Sequence, residues 1–319
     1  MRSLLGMTTR LLVFLAWTGP TWAEQPADRF KLLQDAHRVV FLGNSITAGG
    51  SYVAFVDTWI ASLWLPHPPE VINMGLSSET VSGLSEEGHA GGRFPRPDLA
   101  ERLTRVLATA KPDLVIACYG INCGIYLPFD EGRFEKYQQG LRNLKTVVEK
   151  RGAKLILITP PFYDGQRGKK PYYNNVLDRY SRWLLDRRAD AWLVIDLHGA
   201  MTQEVARRRE AQPEFTFQPD SVHPNEAGHW FMAQQIIRWF GDEKSAAAQT
   251  PQAMLQSRSL PPELLKLMQE RMVLLRDAYV TAAGHKRPGV PPGLPLNQAR
   301  AKAQSLSAKI QTVMNTKGK

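Results

Sequence analysis

The sequence predicts an α/β protein built on a parallel sheet, and three observations carry that prediction. Five compact runs rich in Val, Ile and Leu recur along the chain, at 38–43, 70–74, 113–119, 154–159 and 192–197. Near-continuous apolar runs of this length suit strands covered on both faces. Amphipathic stretches of helical length separate them, at about 53–64, 97–110, 131–150 and 172–188. Strands that alternate with helices read as crossover units, which give parallel pairing.

The first run, Val39-Val40-Phe41-Leu42, ends at Gly43, and Ser45 stands on the turn that leaves it. In open α/β sheets, ligands and reacting groups collect outside the carboxyl ends of the strands. A serine at this place has two readings, a helix cap or a nucleophile. The second gains weight from Asp220-Ser221-Val222-His223-Pro224, where a carboxylate and an imidazole stand three residues apart. They would supply the base and the orienting group that a serine nucleophile needs.

The second run leads into Asn73-Met74-Gly75 and then a polar loop over 77–96 containing Gly83, Gly88, Gly91 and Gly92. That loop either borders a substrate, with His89, Arg93 and Arg96 as polar contacts, or is a plain surface loop. Lys111-Pro112-Asp113 ends the next helix before the third run, which leads into Gly120-Ile121-Asn122. After the fourth, Thr159-Pro160-Pro161 opens a loop with Asp164, Gly165 and Gly168, either a cleft wall or a connector. The segment from Asn225 to Phe240 reads as an amphipathic helix that leaves His223 on the loop before it and carries His229 as a packed or surface residue, not a ligand. Asp196, beside His198, is a weaker choice than Asp220 for the orienting carboxylate.

Four short blocks, in order, resemble those of the SGNH (GDSL-type) hydrolases. Gly43-Asn44-Ser45-Ile46-Thr47 is similar to the first, Asn73-Met74-Gly75 to the second, Gly120-Ile121-Asn122 to the third and Asp220-x-x-His223-Pro224 to the last. The resemblance spans roughly residues 38–240. It implies a three-layer α/β/α, flavodoxin-like fold with a five-stranded parallel sheet. It also implies a Ser45, His223 and Asp220 triad, with an oxyanion hole from the N–H groups of Ser45 and Gly75 and the Asn122 side chain. Asn44 stands where the family often has Asp, and Cys123 where Asp commonly follows the third-block Asn. The G-x-S-x-G elbow of α/β-hydrolases is absent.

Composition narrows the function. The 319 residues are 43% apolar, ordinary for a globular protein, and carry a formal charge of +10. Residues 244–319 hold twelve Lys and Arg against three Asp and Glu, so the charge belongs to the tail and the rest is close to balanced. No aromatic and basic residues interleave as a nucleic-acid platform requires, so no nucleic-acid partner is expected. No His, Cys and carboxylate cluster has convincing zinc spacing, so no catalytic metal is expected, and the ester chemistry that the resemblance implies needs no cofactor. Cys118 and Cys123 flank the third block and either pair across it or stay free; we read them as two free thiols.

Arg2 and Arg10, the apolar run Leu11 to Trp17, Gly19-Pro20 and Thr21-Trp22-Ala23 follow the plan of a secretory signal peptide cleaved after Ala23. Export is therefore expected, without stable membrane insertion. The expected organisation is a signal peptide over 1–23, a hydrolase domain over 24–243 and a linker with a C-terminal helical arm over 244–319. Within that arm, 244–259 reads as a polar linker. Beyond it, Leu264, Met268, Met272, Leu275, Tyr279 and Ala282 form one apolar stripe, and Leu296, Ala299, Ala303, Leu306, Ile310 and Val313 a second. This helical arm either packs on the core or serves as a lid. The resemblance implies hydrolysis of carboxylic, foremost acetyl, esters on a small-molecule or polysaccharide substrate, with carbohydrate the first choice. A lysophospholipase or short-chain lipid esterase and, from another class, a non-catalytic glycan-binding module are the alternatives, and the oligomeric state is left open.

Overall fold

The structure is a computed structural model that describes residues 26–316. The expected signal peptide lies outside those residues. Five parallel strands, β1 (Arg38–Gly43), β2 (Glu70–Asn73), β3 (Leu114–Cys118), β4 (Lys154–Ile158) and β5 (Leu193–Ile195), form one sheet in the order β2-β1-β3-β4-β5. Every residue of β3, the central strand, is buried, which explains its unbroken apolar run. The chain goes from β1 out to β2 and then returns to the other side as β3. Strand order therefore reverses between β1 and β3, and a crevice opens there at their carboxyl ends.

Helices cover both faces. After β1 come α2 (Ser45–Gly49) and α3 (Ser51–Ser62), then α4 (Leu99–Ala110) and α5 (Glu131–Lys150). Next are α6 (Tyr173–Asp186), α7 (Leu197–Ala211) and α8 (Glu226–Trp239). The pair α3 and α8 packs together on one face, and α4 packs with α5. Asp98 caps α4 by accepting from the Ala100 N–H, and Lys111 ends it at φ 48, one residue before Pro112.

Three stretches differ from expectation. A helix, α1 (Pro26–Gln34), occupies the polar lead-in and buries Leu33. The α7 helix was not foreseen, because its buried face is thin and its exposed turns are rich in Arg. The polar linker expected over 244–259 is instead two short helices, α9 (Glu243–Ala246) and α10 (Pro251–Ser257), which bury Ala246, Met254 and Leu255.

The C-terminal arm is a hairpin of α11 (Glu263–Ala283) and α12 (Leu296–Asn315). Gly284, at φ 71, ends α11 by donating to Val280 and Thr281 carbonyls. The α11 helix touches β2, α3 and α4 together, so it runs along the β2 edge and closes it. Met272, Leu275 and Tyr279 are buried there, and Arg271 pairs with the buried Asp57 at 2.8 Å. The first stripe ends on Ala283, which is buried, and not on the exposed Ala282. Among the described residues no helix is long and apolar enough to cross a membrane.

Candidate active site

Ser45 is the first residue of α2, directly beyond β1. The cap of that helix is Asn44, whose side chain accepts from the Ile46 N–H at 3.0 Å. Asn44 thus takes the capping task, and the Ser45 hydroxyl is left free for other work. Gly43 must be glycine, since a Cβ there would lie 2.1 Å from Thr47 Oγ1.

His223 lies on the loop before α8, and its Nε2 is 2.8 Å from Ser45 Oγ across 178 residues of chain. Its Nδ1 is 2.7 Å from Asp220 Oδ2. The other carboxylate oxygen, Oδ1, accepts from the backbone N–H groups of Val222 (3.0 Å) and His223 (2.7 Å). One carboxylate therefore shapes its own turn and orients the imidazole. Partial burial works to raise the Asp220 carboxyl, but these N–H donors outweigh it and hold the group below the usual carboxylate range. An ionised carboxylate only accepts, so Nδ1 carries the proton and Nε2 is left to accept from the serine.

Asn122 follows β3 on the other side of the crevice and is buried. Its Nδ2 donates to the Glu79 carbonyl at 3.3 Å, and its Oδ1 accepts from the Tyr126 hydroxyl at 2.9 Å. Gly75 departs from expectation. Its N–H donates to Asn73 Oδ1 at 2.9 Å, and a Cβ on it would meet Ala48 N at 2.4 Å. It is a close-packing glycine under the nucleophile turn, with its N–H already engaged. Three residues on, Ser78 is partly exposed at φ 67, and among the described residues no hydrogen bond uses its N–H.

A buried ionic cradle lies under this loop. Glu79 takes two bonds from Arg102, at 2.6 and 2.8 Å, and a third from the Tyr119 hydroxyl at 2.6 Å. Arg102 also donates to the Met74 carbonyl at 2.7 Å. Burial pushes the Glu79 carboxyl upward, and Arg102 pulls it back. No sequence motif marks Arg102; only its place on the buried face of an otherwise amphipathic helix does.

Arg96 pairs with Glu86 through two bonds of 2.6 Å and lies over the Tyr126 ring, whereas His89 and Arg93 bond within their own loop. Cys118 and Cys123 are free and buried, and burial pushes the Cys118 thiol up to about 12. Asp196 caps α7, and His198 pairs with Asp178. His229 stacks on Tyr52. Among the described residues, no group of three or more His, Cys, Asp or Glu is placed to hold a metal.

The sequence profile of the GDSL-like lipase/acylhydrolase family matches residues 41–231, from β1 into α8. The chain belongs to that family. This family member is an enzyme that hydrolyses ester bonds. An acetylxylan esterase of Geobacillus stearothermophilus is 24% identical over 229 residues, which are 65% of this chain and 94% of that protein. A solved Geobacillus acetyl-xylooligosaccharide esterase superposes with a TM-score of 0.50 at 24% identity, covering 65% of this chain and 95% of its own. A gut microbial diltiazem-metabolizing enzyme also gives 0.50 at 22% identity, over 64% of this chain. The chain spans about half of that last protein, 47% of its length. These structural likenesses place the fold, and the C-terminal hairpin lies outside the family match.

Proposed function

We propose that this GDSL-family member is a serine esterase that removes acetyl groups from carbohydrate, with Ser45 as nucleophile, His223 as general base and Asp220 as its orienter. The observation that carries this reading is the unbroken chain from Ser45 Oγ to His223 Nε2 (2.8 Å) and from His223 Nδ1 to Asp220 (2.7 Å). A serine hydroxyl is almost wholly protonated at neutral pH. His223 accepts its proton as Oγ attacks the ester carbonyl, and Asp220 stabilises the imidazolium that forms. His223 then returns the proton to the departing sugar hydroxyl. Water deacylates Ser45 by the same route in reverse.

The oxyanion needs donors aimed at the crevice. Ser45 opens a helix, so its N–H has no partner within that helix and is available. Asn122 supplies an amide N–H, since Glu79 occupies only one of the two on Nδ2. The remaining backbone donor is assigned to Ser78, whose N–H is unused, in place of Gly75, whose N–H is engaged by Asn73. The Asn122–Glu79 bond brings this segment beside Asn122.

Two features support the substrate class. The acetylxylan esterase among the relatives aligns over nearly its whole length. The Asp220 and His223 side chains are 58% and 50% exposed, so a bulky sugar chain can lie over the serine while only the small acyl group enters. The signal-peptide pattern before residue 24 supports action outside the cytoplasm. The test is a panel of acetylated xylo-oligosaccharides, longer acyl esters and lysophospholipids, run on wild type and Ser45→Ala. Serine-dependent release of acetate is expected, and faster cleavage of long acyl esters would overturn the carbohydrate reading.

A further inference from the structure

The loop that carries Asn122 is held in a costly backbone path. Ile125 and Tyr126 have φ of 46 and 57, two successive non-glycine residues in the left-handed region, and the first is β-branched. Such a path persists only where its surroundings enforce it. Here Lys170 Nζ donates to the Tyr126 carbonyl at 2.7 Å, and the Tyr172 hydroxyl reaches the same oxygen at 3.4 Å. The Tyr126 ring stacks on Tyr173 with centroids 4.8 Å apart, and the Arg96 guanidinium lies 5.4 Å from its centre. The outcome of these contacts is a partly buried phenol whose hydroxyl lies 2.9 Å from Asn122 Oδ1.

A carboxamide has two nearly isosteric ends of opposite polarity, and only one of them can serve an oxyanion. The Glu79 carbonyl can only accept, so Nδ2 is the end that faces it. The end facing Tyr126 is therefore Oδ1, and the phenol must be the donor. We propose that Tyr126 is a positioning residue for the oxyanion donor, its hydroxyl holding the Asn122 carboxamide so that an Nδ2 hydrogen faces the reacting carbonyl. This rests on the reading of Asn122 as an oxyanion donor. Of the two contacts that fix the amide, the Tyr126 bond is the shorter. A hydrogen bond to Oδ1 also polarises the amide and strengthens its N–H as a donor.

Tyr126→Phe removes the hydroxyl and keeps the ring stack. Its kcat on a small acetate ester should fall about tenfold, the scale of one lost neutral hydrogen bond, with KM unchanged. Kinetics are read well below the melting points of all variants, so that lowered stability does not mask the result. The controls are Asn122→Ala and the double variant. If the phenol acts through Asn122, the double variant is no slower than Asn122→Ala alone. Wild-type kcat in Tyr126→Phe beside a slow Asn122→Ala overturns the proposal and spares the oxyanion reading, and so do losses that simply add. Wild-type kcat in Asn122→Ala removes the oxyanion reading and the proposal together, which is a separate and recognisable result.

Discussion

The two sides of the crevice are built on opposite plans. On one, Asp220 and His223 sit three residues apart on a half-exposed loop, and the carboxylate is satisfied by N–H groups of its own turn. On the other, Asn122 is buried and bonds both to Tyr126, four residues on, and to Glu79, whose own partners are far away in sequence. Glu79 lies 43 residues from it, 40 from Tyr119 and 23 from Arg102. Under the proposed roles, the difference follows from what each side would do. A proton shuttle must meet a bulky substrate and exchange with water, whereas fixed donors work best against a dry wall where fields are unscreened. Changes on the exposed side should therefore cost rate, and changes beneath the buried side should cost stability first.

The largest effect tests the exposed side. Ser45→Ala and His223→Ala should each lower kcat by about 10⁴-fold or more while leaving the melting temperature close to wild type. Kinetics on a chromogenic acetate beside a melting curve check both halves of that statement. Near-normal turnover in either variant would remove the triad reading. A large drop in melting temperature would instead show that this loop is structural, and the contrast between the two sides would disappear.

Arg102→Met tests the buried side. It leaves Glu79 without its cation in a dry site, and breaking a buried pair in this way costs about 3–5 kcal/mol. Denaturant unfolding should show that loss, and Glu79→Gln in the same chain should recover part of it by removing the stranded charge. Activity at temperatures where Arg102→Met remains folded should fall less steeply than in the triad variants. Full stability in Arg102→Met would mean that the cradle is not what anchors the loop.

The same contrast explains what was legible in the sequence. Strand positions followed from apolar runs, because a strand covered on both faces has little freedom in composition. Asp220 and His223 could be paired by spacing alone, since one turn joins them. Asn44 and Ser45 could not be told apart as cap and free hydroxyl, because the choice depends on which side chain meets the Ile46 N–H. The engagement of the Gly75 N–H by Asn73 was hidden for a related reason. The glycine is required by contact with Thr47 and Ala48, a packing demand that resembles a functional one in sequence. Arg102 and Tyr126 were invisible as parts of the site, since their partners are remote or their backbone conformation is unusual. The hairpin's stripes were legible as two helices, with packing and a lid role both left open and the first stripe ending on Ala283 in place of Ala282, but the polar composition of 244–259 hid Met254 and Leu255, which α10 buries.

Two histidines on consecutive elements sharpen the comparison once more. His223 is half exposed and bonded on both ring nitrogens, while His229, on α8, is buried against Tyr52 and its Nδ1 has no hydrogen-bond partner among the described residues. Burial, aided by the nearby His223, pushes the His229 imidazole down to about 4. In the unfolded chain the same group takes its proton near pH 6.5. Between these values the unfolded chain binds more protons than the native one, so stability falls as pH falls. The contribution is complete above pH 6.5 and is lost progressively towards pH 4, amounting to about 3 kcal/mol as an order of magnitude. His229→Gln cannot take up that proton, so its melting temperature should decline less than wild type across this window, even if it starts lower at pH 7. Parallel curves for the two proteins from pH 7 to pH 4 would show that His229 is not held neutral by burial.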